Sequence, residues 1–213
     1  MVAGRFVGPE QAAISAAAEH TAILAFMVDL AYQKVPERMR HMGRLKDLVG
    51  MVAERRLGFR TDESMKGTHT FVRDFPPGKV EAGTELPFQF SATWGTPHLE
   101  KFLNPLSGDF MFALMEGKVA AGGLTGEAPL KGTLELRYIE DASIRYIFEF
   151  EAQERLFRYV GEKTGIRPWN LHRTHTTCRG TLTDVATEEV LTESVVHFKL
   201  SQLPWFLTRF RLG

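Results

Sequence analysis

Cysteine and net charge are what this sequence has least of. A single cysteine, Cys178, excludes an intrachain disulfide, and 26 basic residues are balanced by 26 acidic ones. A neutral chain has no general electrostatic attraction to polyanions, so nucleic acid is not an expected partner. Arg5 leads into an Ala-rich sequence interrupted by polar residues, which does not predict a signal peptide. We therefore expect a reducing, cytoplasmic setting.

Long apolar runs are missing as well. The apolar stretch 21–28 is far shorter than the roughly 20 residues that span a bilayer. Residues 1–60 are instead predicted to form a helical pair, which Pro36 divides. The second helix, 37–57, has an apolar stripe opposite a basic face. Such a face is usually solvated, and peripheral membrane contact or a partner protein is the alternative.

From residue 61 to 213 the pattern changes to short alternating segments, which predict one antiparallel domain. Apolar Phe88, Phe90 and Trp94, for example, alternate with polar residues. Eight strands are enough to close a barrel that is filled or holds one small ligand. We predict a mainly β fold, a lipocalin-like antiparallel β-barrel of about eight strands, with a short helix at 97–103 and another at the C-terminus. The predicted strands are 66–73, 88–94, 109–119, 130–138, 143–150, 155–161, 171–183 and 189–198.

Motifs for metal, nucleotide or covalent chemistry are weak. His172, His175 and Cys178 lie close together, but alternation along a strand places His175 on the opposite face from the other two. The glycine-rich segment 122–126 lacks the first glycine of a dinucleotide-binding loop, and Pro129 follows where a helix should continue. No metal site and no cofactor are therefore predicted.

The barrel interior is expected to be aromatic, with a few polar groups that could anchor a ligand. Glu116 follows Phe112 and Leu114 at period two, which predicts an inward carboxylate unless Gly117 marks a bulge. A fully packed core with Glu116 at the rim is an equal alternative. The predicted ligand wall is Phe88, Phe90, Trp94, Phe110, Phe112, Tyr138, Tyr146, Phe148 and Tyr159. The candidate polar anchors are Lys163, Glu116 and Thr176.

Three functions are compatible with such an interior. The preferred one is binding of a hydrophobic small molecule, a steroid, a fatty acyl chain or a related lipid, through burial of apolar surface. The second is an isomerase or cyclase that uses the same cavity, with Glu116 and His175 as candidate acid and base. These two side chains would have to line one cavity. The third is a non-catalytic interaction module that docks through the basic helix 37–57 on a protein or a membrane.

Several short segments of the second half resemble a known accessory domain. They are 102–105, 117–124, 144–150, 159–163, 176–177 and 206–211. In this order they resemble the domain that accompanies cholesterol-oxidase-like flavin oxidoreductases of the glucose-methanol-choline family. The likeness covers roughly 99–211 and, more loosely, 67–96. It implies association with the oxidation of sterols or other hydrophobic alcohols, with a flavin oxidoreductase as partner. The flavin-binding motif of that family is absent, and no catalytic residue carries over.

Overall fold

The computed structural model describes residues 58–75, 79–138, 140–166, 176–198 and 211–212. The predicted N-terminal helical pair, the C-terminal helix and His175 lie outside these residues.

Eight antiparallel strands follow one another along the described chain and close into a barrel. They are β1 (Phe59–Phe71), β2 (Glu85–Thr96), β3 (Phe112–Ala121), β4 (Thr125–Arg137), β5 (Ser143–Ala152), β6 (Arg155–Lys163), β7 (Thr177–Asp184) and β8 (Glu189–Phe198). Each strand pairs with the next, and β8 pairs with β1. A short helix, α1 (Leu99–Leu103), lies between β2 and β3, and β9 (Arg211–Leu212) pairs with the start of β1. The prediction of a mainly β, antiparallel eight-stranded barrel is confirmed.

Alternation along each strand decides which side chains face the interior. Every second residue of β1 from Phe59 to Met65 is buried, because successive side chains of a strand point to opposite faces. The register carries this inner face around the barrel, since Met65 lies opposite Phe90 and Phe90 lies opposite Val119. The predicted inward orientation of Phe88, Phe90 and Trp94 on β2 is therefore confirmed.

On β3 the predicted inward face is wrong by one residue. Ala113 and Met115 are buried inside the barrel, whereas Leu114 is 59% exposed. Glu116 is also exposed, and Phe112 is only half-buried. The physical reason is that residues 110–115 are apolar at every position, so alternation fits either phase, and the structure buries the series Met111, Ala113 and Met115. A shift of one residue moves every side chain of a strand to the other face.

Glycines on the inner face let neighbouring strands approach closely. A Cβ atom at Gly117 would clash with the carbonyl oxygen of Ser91 on β2, and one at Gly132 would clash with the carbonyl oxygen of Ile147 on β5. Glycine at such positions allows the sharp bending that a small closed barrel requires.

The two ends of the barrel differ in their connections. At one end, here called the turn end, three of the four connections are the short segments 122–124, 153–154 and 185–188, and the fourth is 72–84. At the opposite end, called the loop end, β2 joins β3 through 97–111, which contains α1, and β6 joins β7 through 164–176. Strands β4 and β5 meet there through 138–142.

The turn end is closed by its own side chains. Phe75, in the connection between β1 and β2, is 5% exposed and packs edge-on against Phe157 with ring centroids 5.8 Å apart. The guanidinium of Arg155 lies 5.3 Å from the centre of the Phe75 ring and forms a 2.6 Å ion pair with Asp184. These contacts cover the interior at this end with apolar surface and one ion pair.

Candidate functional site

The middle of the barrel is filled by aromatic rings. Phe148 and Tyr159 have ring centroids 4.8 Å apart, and Phe90 lies 5.1 Å from Phe148. Phe88 lies 5.1 Å from Tyr159. None of these four side chains is more than 2% exposed. Rings at these separations are in direct contact, so four residues of the predicted ligand wall form a packed unit, here called the aromatic cluster.

A group of charged and polar side chains lies in the same interior, towards the loop end. Glu63 is its centre and accepts a 2.7 Å hydrogen bond from the Nζ of Lys163. The hydroxyl of Tyr146 lies 3.0 Å from both carboxylate oxygens of Glu63, and the indole Nε1 of Trp94 donates to Oε2 at 3.2 Å. Glu63 is 8% exposed and Lys163 is 2% exposed. We call these four residues the charged cluster.

Closure of the sheet is what assembles the charged cluster. Lys163 is the last residue of β6 and Tyr146 faces inward on β5, whereas Glu63 faces inward on β1. Glu63 and Lys163 are 100 residues apart in sequence and meet only across the barrel.

Sequence reasoning found Lys163, Tyr146 and Trp94 but missed Glu63. The predicted first strand began at residue 66, whereas β1 begins at Phe59. The available signal was the period-two series of Phe59, Thr61, Glu63 and Met65, and its two polar members made it look unlike a strand with a buried face.

The ion pair at the centre of the cluster is electrically neutral but costly to bury. Two charges lose their hydration in an apolar interior, and a well-packed apolar pair is often as stable or more stable. Among the described residues, Lys163 has one hydrogen-bond acceptor, Glu63. Its ammonium group otherwise faces rings, 5.0 Å from the centre of Tyr146 and 5.8 Å from that of Phe198. These cation–π contacts offset only part of the desolvation.

Thr61 adds an unsatisfied polar group beside the charged cluster. Thr61 and Glu63 are successive inward-facing residues of β1, and Thr61 is the one nearer the loop end. Thr61 is 1% exposed. Its hydroxyl oxygen has no hydrogen-bond partner among the described residues. A buried hydroxyl without a partner costs about 1–3 kcal/mol, so Thr61 is a hydrogen-bonding group available to a ligand.

The hydroxyl and thiol groups of this interior stay protonated and can therefore act as hydrogen-bond donors. Burial raises the pKa of the Tyr146 hydroxyl well above its usual range, and the nearby Glu63 carboxylate raises it further. The same two causes raise the pKa of Tyr138. Burial also raises the pKa of the Cys178 thiol to about 11, so Cys178 stays a neutral thiol and not a nucleophilic thiolate.

The remaining predicted site residues lie at several places in the fold. Phe110 is half-buried in the turn before β3, and Tyr138 is half-buried directly after β4, where the Glu63 carboxylate is near enough to raise its pKa. Thr176 is half-buried before β7, where its carbonyl accepts a 2.8 Å hydrogen bond from the backbone of Phe198.

Glu116 lies on the outside of the barrel and not in its interior. It borders an open groove of about 320 Å³ across β2, β3 and β4, together with Arg60, Leu114 and Lys131. The expectation of an inward Glu116 is therefore wrong. Glu116 and His175 were the predicted acid and base. Glu116 does not lie inside the barrel, and His175 lies outside the described residues.

The described part of the chain contains no group of three or more His, Cys, Asp or Glu side chains that could hold a metal ion. It also contains no helix with the length and apolar character needed to cross a membrane.

No known protein family, no curated protein and no solved structure matches this chain. The resemblance to the accessory domain of flavin oxidoreductases therefore stays a prediction. The fold and the site define a closed antiparallel barrel with an aromatic middle and a charged cluster towards one end. Function is inferred from that interior.

Proposed function

We propose that this protein is a lipocalin-like barrel that binds a hydrophobic small molecule, a steroid, a fatty acyl chain or a related lipid, towards the loop end of its interior. The observation that carries the proposal is the charged cluster, which lies in the interior of a barrel whose middle is filled by aromatic rings. A buried ion pair contributes little to stability, because desolvation offsets the attraction of the two charges. Lysine and glutamate are almost never fully buried unless they are paired, so we assign this pair to a binding site.

Apolar surface and a few convergent polar groups are what such a ligand requires. In this proposal the aromatic cluster is the floor of the site and the charged cluster receives the polar head. Phe59 supplies apolar surface at the loop end, with its ring 5.7 Å from that of Trp94 and 5.0 Å from that of Phe102 on α1. Each Å² of apolar ligand surface removed from water contributes about 25 cal/mol to binding.

Native mass spectrometry of the full chain, purified from a lipid-rich host, tests the proposal. We expect a stoichiometric ligand that can be extracted and identified. A ligand-free mass, together with no uptake of cholesterol or methyl oleate, would contradict it.

A matched pair of double variants locates the site. Glu63→Gln with Lys163→Met removes the charges of the cluster together and should lose the ligand. Arg155→Gln with Asp184→Asn removes an ion pair of similar length at the turn end and should retain it. Equal retention by both double variants would place the ligand elsewhere.

The wider setting of the proposal is cytoplasmic, as an accessory to a flavin oxidoreductase that acts on sterols or other hydrophobic alcohols. The sequence resemblance supports this partner, and the single, buried Cys178 is consistent with a reducing compartment. Peripheral membrane contact through residues 37–57 is part of the same proposal. These residues lie outside those that the structure describes. Co-purification of an oxidoreductase with the tagged full chain is the expected result, and its absence at low salt would count against the partnership.

Isomerase or cyclase chemistry has less support than binding. Glu63 is the carboxylate inside the charged cluster, and it already accepts contacts from Lys163, Tyr146 and Trp94 on both oxygens. A carboxylate has about four acceptor positions, so Glu63 has little capacity left to take a proton from a substrate.

A further inference from the structure

We propose that the head group received by the charged cluster is an uncharged oxygen function, an alcohol, a ketone or an ester carbonyl, and not a carboxylate. This inference rests on the proposed function and narrows it to a ligand class. Three features of the site support it: its charge, its free donors and the position of Thr61.

The charge of the site is already balanced. Glu63 and Lys163 are 2.7 Å apart and less than a tenth exposed, so each neutralises the other without help from solvent. An anionic head would bring a second carboxylate next to Glu63, with one ammonium shared between the two. Burying a negative charge without a counter-ion of its own is strongly unfavourable. A neutral head avoids that cost.

The groups that remain available are hydrogen-bond donors. Two of the three Lys163 protons have no acceptor among the described residues, where Glu63 takes the third. The Thr61 hydroxyl also lacks a partner in the described part of the chain. Ammonium can only donate, and a hydroxyl can donate or accept. A ketone or ester oxygen matches these donors, and an alcohol matches Thr61 in either direction.

Thr61 also fixes where the head group would sit. It is the next inward residue from Glu63 towards the loop end. A head-group oxygen bound by Thr61 therefore lies on the loop-end side of the ion pair, while the packed aromatic cluster occupies the other side.

The test compares probes that share one chain and differ in the head group. Oleyl alcohol, methyl oleate and oleate compete with Nile red for the full-length protein, at an alkaline pH that keeps the acid ionised. We expect the alcohol and the ester to bind at least about tenfold more tightly than oleate, because only oleate buries an unbalanced charge. Oleate binding as tightly as the two neutral probes would overturn the inference and leave the proposed function standing. Failure of every probe, with cholesterol included, would instead overturn the proposed function.

Glu63→Gln provides the sharpest variant. It removes the counter-ion of Lys163, so an anionic head group would now balance the ammonium. The preference for neutral probes should therefore invert, and oleate should bind best of the three. An unchanged preference for the neutral probes in a folded Glu63→Gln protein would contradict the inference. Asp184→Asn is the matched control, because Asp184 is a buried carboxylate of an ion pair at the turn end. It should leave the order of the three probes as in the wild type.

Thr61→Val keeps the proposal testable if Glu63→Gln does not fold. Valine retains the shape of threonine and removes only a hydroxyl that has no partner in the described structure. Binding of oleyl alcohol and methyl oleate should weaken by about tenfold, the effect of losing one good hydrogen bond. Unchanged affinity for both neutral probes would contradict the role given to Thr61.

Discussion

At the turn end of the barrel, a buried polar side chain has both of its polar atoms in use. Nε2 of His69 lies 3.0 Å from the carbonyl oxygen of Gly122, and Nδ1 lies 3.1 Å from the hydroxyl of Thr192. Because a carbonyl only accepts, Nε2 carries the proton and Nδ1 accepts from Thr192. At the loop end, Thr61 is equally buried and has no such partner among the described residues. The two side chains are therefore equally buried but differ in hydrogen bonding, and this difference is why we assign His69 to the structure and Thr61 to the proposed site.

The ion pairs at the two ends of the barrel also differ, in how far their side chains are exposed to water. The ion pair of Arg155 and Asp184 at the turn end includes an arginine that is 40% exposed, so water still solvates one partner. The ion pair of Glu63 and Lys163 has side-chain exposures of 7% and 2%. The loop-end pair therefore bears most of the desolvation cost, which is the reason to assign it a function.

The largest expected effect tests the packed middle of the barrel that separates the two ends. Phe148→Ala should lower the free energy of unfolding by about 3–5 kcal/mol, because Phe148 is 0% exposed and touches several other rings. Urea denaturation measures it, with the 95% exposed Leu106→Ala as control. A loss below about 1 kcal/mol would mean that the rings do not depend on one another and that the middle of the barrel is loosely filled.

Separating the charges of the loop-end pair should have the next largest effect. Lys163→Met leaves Glu63 buried without its cation and should cost about 3 kcal/mol, as broken buried pairs do. Adding Glu63→Gln should restore most of that loss, because no unpaired charge remains. Thermal and urea denaturation of the single and double variants measure the difference. A double variant no more stable than Lys163→Met would refute the idea that the unpaired charge causes the loss.

Acid should lower the free energy of unfolding of the protein through His69, which lies at the turn end. Burial lowers the pKa of His69 from its usual 6.5, so the native protein keeps the ring neutral while the unfolded chain binds a proton below pH 6.5. Stability should therefore fall as the pH drops from 6.5 towards the lower native pKa, by no more than about 1.4 kcal/mol per pH unit.

The control for His69 is a histidine on the surface. In urea titrations over this pH range, His69→Gln should flatten the acid dependence, and His98→Gln at the exposed start of α1 should not. Identical slopes for His69→Gln and the wild type would show that His69 does not contribute.

The smallest expected effect has the opposite sign. Thr61→Val should raise the free energy of unfolding of the ligand-free protein by about 1 kcal/mol, since it removes a buried hydroxyl that lacks a partner among the described residues. The matched variant Thr192→Val removes a hydroxyl that His69 uses and should be destabilising. A loss of stability in Thr61→Val would mean that its hydroxyl is satisfied in the free protein.

Much of the strand pattern could be predicted because alternation is a local property. The inward residues of β2 and the bounds of β8 follow from the sequence, and β5 begins at the predicted Ser143. The inner face of β3 could not be predicted from alternation, because residues 110–115 are apolar at every position and the pattern fits either phase.

The charged cluster could be predicted only in part. Tyr146 and Trp94 follow from alternation in their own strands, whereas Lys163 lies just beyond the predicted strand 155–161 and was a candidate only as a polar anchor. Their common partner Glu63 was not a candidate, because a carboxylate at an inward position looks like a surface residue until its partner is known.

The sequence by itself determined the alternation of buried and exposed residues, the approximate number of strands and the aromatic character of the interior. Those features depend on residue types and on a period of two, both of which act over a few residues. Only the tertiary structure decided that Glu63 meets Lys163 and that Thr61 is left without a partner in the described chain. Both follow from the pairing of β1 with β8, which closes the sheet and brings distant strands across one interior.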